Sequence, residues 1–367
     1  MISICFENVL FLSLCLSIAE ASSFWGTSSK VDCSVTLWST WSSANSVGQQ
    51  TRIRRVMRYP QNGGKECPSL SETRVDSADC TVTPWSTWSA NFGFGQQSRV
   101  RTVITQPIGS GKQCPTLEEI RYTGRYLGVN ETGKNFQDFF VRPNGQHVTK
   151  GKRSTQTPNL PRDLVIIMDS SGSIGRVDFE VAKEQTAKLI ALLCPNAPFN
   201  KIAGSPYQYN QAAMLTYSTY VVENFDFNTY NTTASIQNAI NSVRYVGRGT
   251  NTNKAFDQAR GLLQPSKGVR DSARAKREVL ILTDGRSNSQ SLTLAAVKKL
   301  TLEADVYGLM IGSFTIEGIN ELTQYVSSPA YQHLFALPSF KELKYLIDFI
   351  KTGKMMNGAN WCAPFNP

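Results

Sequence analysis

Three stretches of the 367-residue sequence place oxygen-bearing side chains where a metal ion could be bound. The first, residues 169–173 (Asp-Ser-Ser-Gly-Ser), follows the apolar run 164–168, which is typical of a buried parallel strand. The second contains Thr250 in a Gly-Thr-Asn-Thr loop, and the third is Asp284, at the end of the apolar strand 279–283. Open α/β sheets bind ligands at the carboxyl ends of their strands. A ligand set made only of oxygen suits a hard cation, Mg²⁺ before a transition metal.

In this order the three segments resemble the metal-ion-dependent adhesion site of von Willebrand factor A domains. The resemblance implies that Ser171, Ser173 and Thr250 bind Mg²⁺ or Mn²⁺ directly. It implies that Asp169 and Asp284 hold coordinated waters and neighbouring hydroxyls, and that an acidic residue of a partner protein completes the coordination. Each fragment alone is an ordinary turn, because Ser-Gly-Ser and Asp-Gly are common turn sequences.

The carboxyl-terminal half alternates apolar strands with segments of helical periodicity. After the strand 164–168, apolar side chains recur at helical spacing near residues 179–193, 236–243, 255–263, 290–303 and 340–350. This alternation predicts an α/β, doubly wound, Rossmann-like domain over residues 163–354, followed by a tail at 355–367. The domain resembles the A domains of extracellular matrix proteins more than those of integrin subunits.

Residues 32–78 and 79–125 are two copies of one unit, with a period of 47 residues. Both copies contain Trp-x-x-Trp, Arg-x-Arg and Gly-x-x-Cys-Pro. A unit of this size buries little core and needs other sources of stability. Trp-x-x-Trp and Arg-x-Arg on neighbouring extended segments predict a ladder of guanidinium groups stacked on indole rings.

These units resemble thrombospondin type 1 repeats, which implies two small three-stranded folds. The resemblance implies the disulfides Cys33–Cys67 and Cys80–Cys114, and C-mannosylation at Trp38 and Trp85. The family often has Cys-Ser-x-x-Cys-Gly after the second Trp. Here the corresponding stretches, 43–48 and 90–95, contain no cysteine, so the inner cysteines and the usual O-fucosylation site are missing.

The net charge of +10 is concentrated towards the amino-terminal half. Residues 22–163 carry 18 Lys and Arg against 10 Asp and Glu. For a secreted protein this favours a heparan-sulfate-like polysaccharide or a membrane surface over nucleic acid. The candidate polysaccharide-binding residues are Arg52, Arg54, Arg55, Arg58, Arg99 and Arg101. The alternatives are a structural role for the ladder arginines and a solvated basic surface that contacts no partner.

Residues 1–21 have the apolar core and small-x-small ending of a secretion signal, although the segment lacks a basic start. No other stretch approaches 18 apolar residues, so we expect no membrane span. The remaining cysteines, Cys194 and Cys362, are expected to pair with each other, with an intermolecular bridge as the alternative. Asn130 and Asn231 begin N-glycosylation sequons.

Residues 126–162 contain several Gly and Pro residues and are predicted to be a linker. Within this segment Lys150-Gly151-Lys152-Arg153 fits either a processing site or, more simply, a solvated run of charge.

No enzyme is predicted, because the two histidines, His147 and His333, are isolated and no Gly-x-Ser-x-Gly, Walker or His-Glu-x-x-His sequence occurs. The domain order resembles coadhesin-like proteins of invertebrate matrices. We therefore expect a secreted matrix or adhesion protein that binds acidic protein ligands through its cation. The alternatives are a structural matrix component without metal-dependent binding, and a soluble recognition or defence protein.

Overall fold

The computed structural model describes residues 29–45, 48–141, 161–193, 210–312 and 314–356, with side chains up to residue 352. The described chain forms two compact units. One unit contains the residues up to 81 together with 105–114, and the other contains 82–104 and the residues from 115 onwards. Several predictions fall outside the described residues: the signal at 1–21, His147, the basic segment 150–153, Cys194, Cys362 and the tail after Met356.

Each repeat is built from short strands. They are β1 (Ser34–Val35), β2 (Gln49–Ile53), β3 (Val56–Arg58) and β4 (Ser71–Val75) in the first repeat, and β5 (Thr81–Val82), β6 (Gln96–Val100), β7 (Val103–Thr105) and β8 (Glu118–Tyr122) in the second. In the first repeat, β2 pairs with β4 and β3 pairs with β1, both antiparallel. The resemblance implied three strands in each repeat. In the first repeat one of them is interrupted at Arg54 and Arg55, and its two parts, β2 and β3, pair with different neighbours.

The predicted ladder of arginine and tryptophan side chains is present in both repeats. In the first repeat the guanidinium of Arg52 lies 5.0 Å from the ring centre of Trp38 and 4.7 Å from that of Trp41. Arg54 stacks on Trp38 at 4.2 Å, and Arg74 on Trp41 at 4.5 Å. The second repeat has the same stacks, formed by Arg99, Arg101 and Arg121 on Trp85 and Trp88. Such stacks replace the large apolar core that a unit of this size cannot build.

Each repeat contains one disulfide, and the two disulfides join equivalent positions. Cys33 is bonded to Cys67, and Cys80 to Cys114, as the resemblance implied. Beside the first bond, a Cβ atom added at Gly64 would lie 1.8 Å from the carbonyl oxygen of Val31. Glycine is therefore required at this position by the close approach of two backbone segments.

The segment expected to be a linker is partly helical. Helix α1 (Val129–Phe136) continues into a π-helical turn (Gln137–Val141). The ring of Phe136 lies 4.9 Å from that of Phe335, and both side chains are fully buried. A Cβ atom at Gly133 would lie 2.7 Å from the ring of Phe349, so this glycine allows two helices to approach closely. One of the glycines that indicated a linker, Gly133, thus serves close packing.

The carboxyl-terminal domain is a six-stranded sheet flanked by helices. Its strands are β9 (Arg162–Asp169), β10 (Gln211–Tyr217), β11 (Val221–Phe225), β12 (Lys276–Thr283), β13 (Asp305–Ile311) and β14 (Leu334–Leu337). Its helices are α2 (Gly175–Leu193), α3 (Thr233–Ser242), α4 (Thr252–Leu262), α5 (Gln290–Leu300), α6 (Ile316–Thr323), α7 (Ala330–His333) and α8 (Phe340–Met356). None of the helices in the described ranges is long and apolar enough to cross a membrane.

The strand order is β11-β10-β9-β12-β13-β14, and only the edge strand β11 is antiparallel to its neighbour. The predicted doubly wound α/β architecture is confirmed. Alternate residues of β9 enter different cores: Leu164, Ile166 and Met168 pack on one face of the sheet, and Val165 and Ile167 on the other. Burial on both faces explains why this strand is a continuous apolar run.

Two ion pairs are buried at the start of β9. The guanidinium of Arg162 contacts the carboxylate of Glu278, and both side chains are almost fully buried. The carboxylate of Asp163, which has no exposed surface, accepts hydrogen bonds from the backbone N of Arg270 at 2.7 Å and from its Nε at 2.9 Å. Removing one member of such a pair leaves the other charge buried without compensation.

We therefore predict that Asp163→Ala lowers the free energy of unfolding of this domain by about 3–5 kcal/mol. Urea unfolding followed by the helical circular dichroism signal measures this, because the described strands of the two repeats contribute no helix to it. The control is Glu184→Ala, which removes an exposed pair with Lys188 and should change the stability by less than about 1 kcal/mol. Equal effects of the two substitutions would contradict the prediction.

Candidate metal centre

The site is organised around the carboxylate of Asp169, the last residue of β9, which is fully buried. Its Oδ1 accepts the backbone N–H of Ser171 at 2.8 Å. Its Oδ2 accepts the hydroxyl of Thr283 at 2.6 Å and the hydroxyl of Tyr217 at 3.1 Å. These three donors belong to the turn after β9 and to the ends of β12 and β10. The carboxylate therefore joins the ends of three adjacent strands.

Ser171, Ser173 and Asp284 form a continuous line of hydrogen bonds. The hydroxyl of Ser173 donates to Asp284 Oδ1 at 2.9 Å, and the hydroxyl oxygens of Ser171 and Ser173 are 3.0 Å apart. Since the proton of Ser173 is directed to Asp284, the hydroxyl of Ser171 donates to Ser173. Four of the five predicted site residues are thus brought together, although Asp284 is 115 positions away from Asp169 in the chain.

Thr250 lies in a loop that is bonded to the other two site loops. The N–H of Gly172 donates to the carbonyl of Arg248 at 2.7 Å, which joins this loop to the turn after β9. The N–H of Asn288 donates to the carbonyl of Thr250 at 2.8 Å, which joins it to the loop after β12. The backbone of Thr250 is therefore fixed beside the site. Direct ligation by its hydroxyl stays a prediction.

Both carboxyl groups have raised pKa values. Burial raises the pKa of Asp169, and the hydrogen bonds from Thr283, Ser171 and Tyr217 partly oppose this rise. Burial and then the negative charge of Asp169 raise the pKa of Asp284 to about 6. A divalent cation at this position would offset both causes, because it adds positive charge where two acidic groups are close together.

The donor set fits a hard divalent cation. In the described part of the chain, no group of three or more His, Cys, Asp or Glu side chains is placed to hold a metal ion. The candidate centre instead combines two carboxylates with the hydroxyls of Ser171 and Ser173. Such a set contains only oxygen donors, as Mg²⁺ and Mn²⁺ prefer.

Sequence reasoning missed Tyr217 and Thr283, which hold Asp169 in place. Their positions contained a usable signal: each is the polar last residue of an apolar strand, like Asp169 itself. Tyr217 is also directly opposite Asp169 in the strand register. The order of the strands, which the sequence does not state, was needed to recognise that these residues share one edge of the sheet.

The six candidate polysaccharide-binding arginines differ in their contacts and in their exposure. Arg52 and Arg99 stack between two rings each and pair with Glu72 and Glu119, at 2.5 and 2.6 Å. Arg54 and Arg101 stack on one ring each and donate from Nε to backbone carbonyls. Arg55 and Arg58 lie outside the ladder and are exposed.

The predicted modification sites differ in accessibility. Asn130 is exposed on helix α1, and Asn231 is exposed just before helix α3. Trp38 and Trp85 are each half-buried between two guanidinium groups of the ladder. Modification of these four residues stays a prediction.

The fold and the site define a doubly wound α/β domain with an oxygen-lined edge at its strand ends. The model of the von Willebrand factor type A domain matches residues 163–349, and the chain belongs to this family.

The chain is similar to several curated proteins with such domains. It is 26% identical to mouse matrilin-2 over 53% of this chain and 19% of that protein, and 26% identical to chicken matrilin-3 over 60% of this chain and 45% of that protein. It is 32% identical to the human collagen alpha-1(XX) chain over 39% of this chain and 10% of that protein. The chain thus covers less than half the length of each of these three relatives.

Among solved structures, the chain is similar to proximal thread matrix protein 1 from the mussel byssus. The identity is 20%, the TM-score is 0.44, and the match covers 52% of this chain and 47% of that chain. Another structure of the mussel protein has a zinc-occupied MIDAS motif.

We predict that Asp284→Asn removes cation binding and stabilises the metal-free protein. The pKa of Asp284 is raised above its unfolded value, so its ionised form opposes folding. The stabilising effect of the substitution should be present above about pH 6 and should disappear below about pH 4, where both folded and unfolded carboxyls are protonated. Thermal unfolding in chelator across this pH range, together with Mn²⁺ calorimetry, measures both effects. Lower stability of the variant at pH 7 would contradict the prediction.

Proposed function

We propose that this chain is a secreted matrix protein that binds acidic protein ligands through a divalent cation in its A-type domain. The observation that carries the proposal is the hydrogen-bonded line from Ser171 through Ser173 to Asp284, beside the buried carboxylate of Asp169. Ser171, Ser173 and Thr250 would hold Mg²⁺ or Mn²⁺ directly, and the two carboxylates would orient hydroxyls and bound water. Similarity to matrilins and a collagen chain supports the assignment to the matrix.

An acidic ligand follows from the charges at the site. Neutral hydroxyl ligands leave most of the charge of a divalent cation uncompensated, so an incoming carboxylate is attracted strongly. A bound cation would supply the electrostatic attraction for this carboxylate. The residues of the chain hold it and keep the carboxylate of Asp169 away from solvent.

Binding is favoured over catalysis by the state of the acidic groups. Asp169 accepts three hydrogen bonds from fixed donors and has no exposed surface from which to exchange a proton with a substrate. Asp284 accepts from Ser173 and is only half-buried. His333 packs on the ring of Tyr307, and its Nδ1 lies 3.0 Å from the carbonyl of Pro329, far along the chain from the site. We therefore propose a protein without enzymatic activity.

We infer that the two units at 32–78 and 79–125 are thrombospondin type 1 repeats. The arginine–tryptophan ladders and the two disulfides support this inference. The proposed domain limits are those of the sequence analysis, except that helix α1 at 129–136 is part of the folded structure instead of linker.

The metal-dependent part of binding can be separated from charge attraction. We predict that the full chain binds a polyglutamate-coated surface more tightly in Mn²⁺ than in chelator. Ser173→Ala should remove the difference by deleting one ligand, and it should preserve the fold because Ser173 is exposed. The control is Ser242→Ala, which removes the hydroxyl of an exposed serine on helix α3 that donates to the carbonyl of Ala239.

The outcome distinguishes the two matrix functions. A Mn²⁺-dependent component that Ser173→Ala abolishes supports the adhesive function. Equal binding in Mn²⁺ and chelator would leave only charge attraction, and would favour a structural matrix component without metal-dependent binding.

A second proposal concerns the polysaccharide surface. Because Arg55 and Arg58 are exposed outside the ladder, we propose that they carry most of the binding to a heparan-sulfate-like chain. At the corresponding positions the second repeat has Thr102 and Thr105, so this surface belongs to the first repeat.

We predict that the double variant Arg55→Ser, Arg58→Ser elutes from a heparin column at a lower salt concentration than the wild type, in the presence of chelator. The matched control, Lys298→Ser with Lys299→Ser, removes the same charge from the exposed end of helix α5. If both double variants elute at the same salt concentration, heparin binding depends only on the net charge of the protein, and the assignment to Arg55 and Arg58 is wrong.

A further inference from the structure

The loop at residues 91–96 of the second repeat is buried against the A-type domain. Phe92, Phe94 and Gln96 are 1%, 4% and 0% exposed, and the two rings belong to the core cluster on one face of the sheet. This loop replaces the stretch in which related repeats have two cysteines. The corresponding residues of the first repeat, Asn45 and Gln49, are exposed. The two copies of the unit therefore use the same loop differently.

The second repeat contacts one face of helix α6. The side chain Nε2 of Gln96 donates to the hydroxyl of Thr323 at 2.8 Å, and the hydroxyl of Tyr122 donates to Oδ1 of Asn320 at 2.6 Å. Asn320 and Thr323 are three positions apart and so lie on the same face of the helix. The Oε1 of Gln96 also accepts the N–H of Phe94, so this buried amide is satisfied on both sides.

Aromatic packing reinforces this contact. The ring of Phe94 meets that of Phe314, just before α6, edge to face at 5.1 Å. A Cβ atom added at Gly312 would lie 3.7 Å from both the ring of Phe314 and the carbonyl oxygen of Asp284. Gly312 therefore lies next to both the ring that the second repeat contacts and the backbone of a site residue.

Another side chain of α6 holds the loop that follows Asp284. Glu321 is fully buried, and its carboxylate accepts Arg286 Nε at 2.7 Å. The same carboxylate accepts the N–H of Ser287 at 3.1 Å and its hydroxyl at 3.0 Å. It also accepts the hydroxyl of Tyr325. Two consecutive loop residues, two and three positions after Asp284, are thus tied to α6.

We propose that the second repeat positions the metal-site loop: it fixes helix α6, whose Glu321 fixes residues 286–287 beside Asp284. The positioning of the loop stands on contacts alone, and its consequence for cation binding rests on the proposed function. Gln96, Tyr122 and Glu321 are positioning residues in this scheme, since none of them contacts the hydroxyls or carboxylates of the site. In this proposal the second repeat helps to position the metal site, in addition to linking the first repeat to the A-type domain.

The two repeats differ at several of the positions that contact the A-type domain, although Gln96 corresponds to Gln49. Tyr122 corresponds to Val75 of the first repeat, and Glu118 corresponds to Ser71. The carboxylate of Glu118 accepts the hydroxyl of Ser328 at 2.6 Å and the N–H of Ala330 at 2.8 Å, next to helix α7. The ladder residues, in contrast, have the same types in both copies. Tyr122 and Glu118, which contact α6 and the start of α7, therefore have no counterpart of the same type in the first repeat.

The direct test is hydrogen exchange of the Ser287 amide in the full, metal-free chain. The variant is Gln96→Ala with Tyr122→Phe, which removes both polar contacts to α6 without creating a buried charge. We expect exchange of the Ser287 amide about tenfold faster than in the wild type, corresponding to the loss of one to two hydrogen bonds. The amide of Val165, in the central strand, reports global unfolding and should change less.

The matched control is Gln49→Ala with Tyr59→Phe, which makes the same changes at exposed positions of the first repeat. Its Ser287 amide should exchange as in the wild type. Unchanged exchange in the Gln96–Tyr122 variant, or the same acceleration in the control, would overturn the inference. Should the double variant not fold, Tyr122→Phe alone, at a side chain that is 41% exposed, gives the same test with a smaller expected change.

Mn²⁺ calorimetry on the same proteins separates this inference from the proposed function. A lower Mn²⁺ affinity of the Gln96–Tyr122 variant, with the control equal to the wild type, supports both. Absence of Mn²⁺ binding in the wild type would overturn the proposed function, while the exchange measurement would still decide the positioning of the loop. Faster exchange with unaltered Mn²⁺ affinity would overturn the link between the repeat and cation binding.

Discussion

The structure of the site depends on one buried carboxylate. Asp169 has no exposed surface, and burial of a charged group is unfavourable unless donors surround it. The donors come from its own turn, from Tyr217 at the end of β10 and from Thr283 at the end of β12. The need to satisfy this group therefore brings three strand ends into one arrangement. That arrangement places the hydroxyls of Ser171 and Ser173 in line with Asp284.

The same arrangement places the carboxylates of Asp169 and Asp284 at one edge of the sheet, although the protein as a whole is basic. The negative charge of Asp169 contributes to the raised pKa of Asp284, and the neighbouring hydroxyls supply donors but no charge. A divalent cation would offset this negative charge. The proposed recognition of an acidic partner therefore depends on the same two carboxylates that oppose each other's ionisation in the absence of a cation. Elsewhere in the domain a buried carboxylate is compensated by a guanidinium group, as in the pair of Asp163 and Arg270.

The two repeats show how one local sequence pattern can serve two purposes. The ladder arginines stack on tryptophan, which gives them a structural role, and the proposed polyanion surface therefore rests on the exposed arginines outside the ladder. In the second repeat the loop without cysteines has become an apolar contact through Phe92 and Phe94.

The sequence by itself determined the ends of the two site strands, the period of 47 residues and the ladder, because each depends on residue types at short spacing. The two cysteine pairs followed from the resemblance to thrombospondin type 1 repeats, and the structure contains both. Only the tertiary structure decided which residues surround Asp169, because Tyr217 and Thr283 reach it through the order of the strands. It also decided that residues 129–136 form a helix, in which a glycine allows close packing. The bond from the N–H of Ser287 to Glu321 likewise depends on the tertiary structure. Contacts between residues far apart in the chain leave no periodic trace in the sequence.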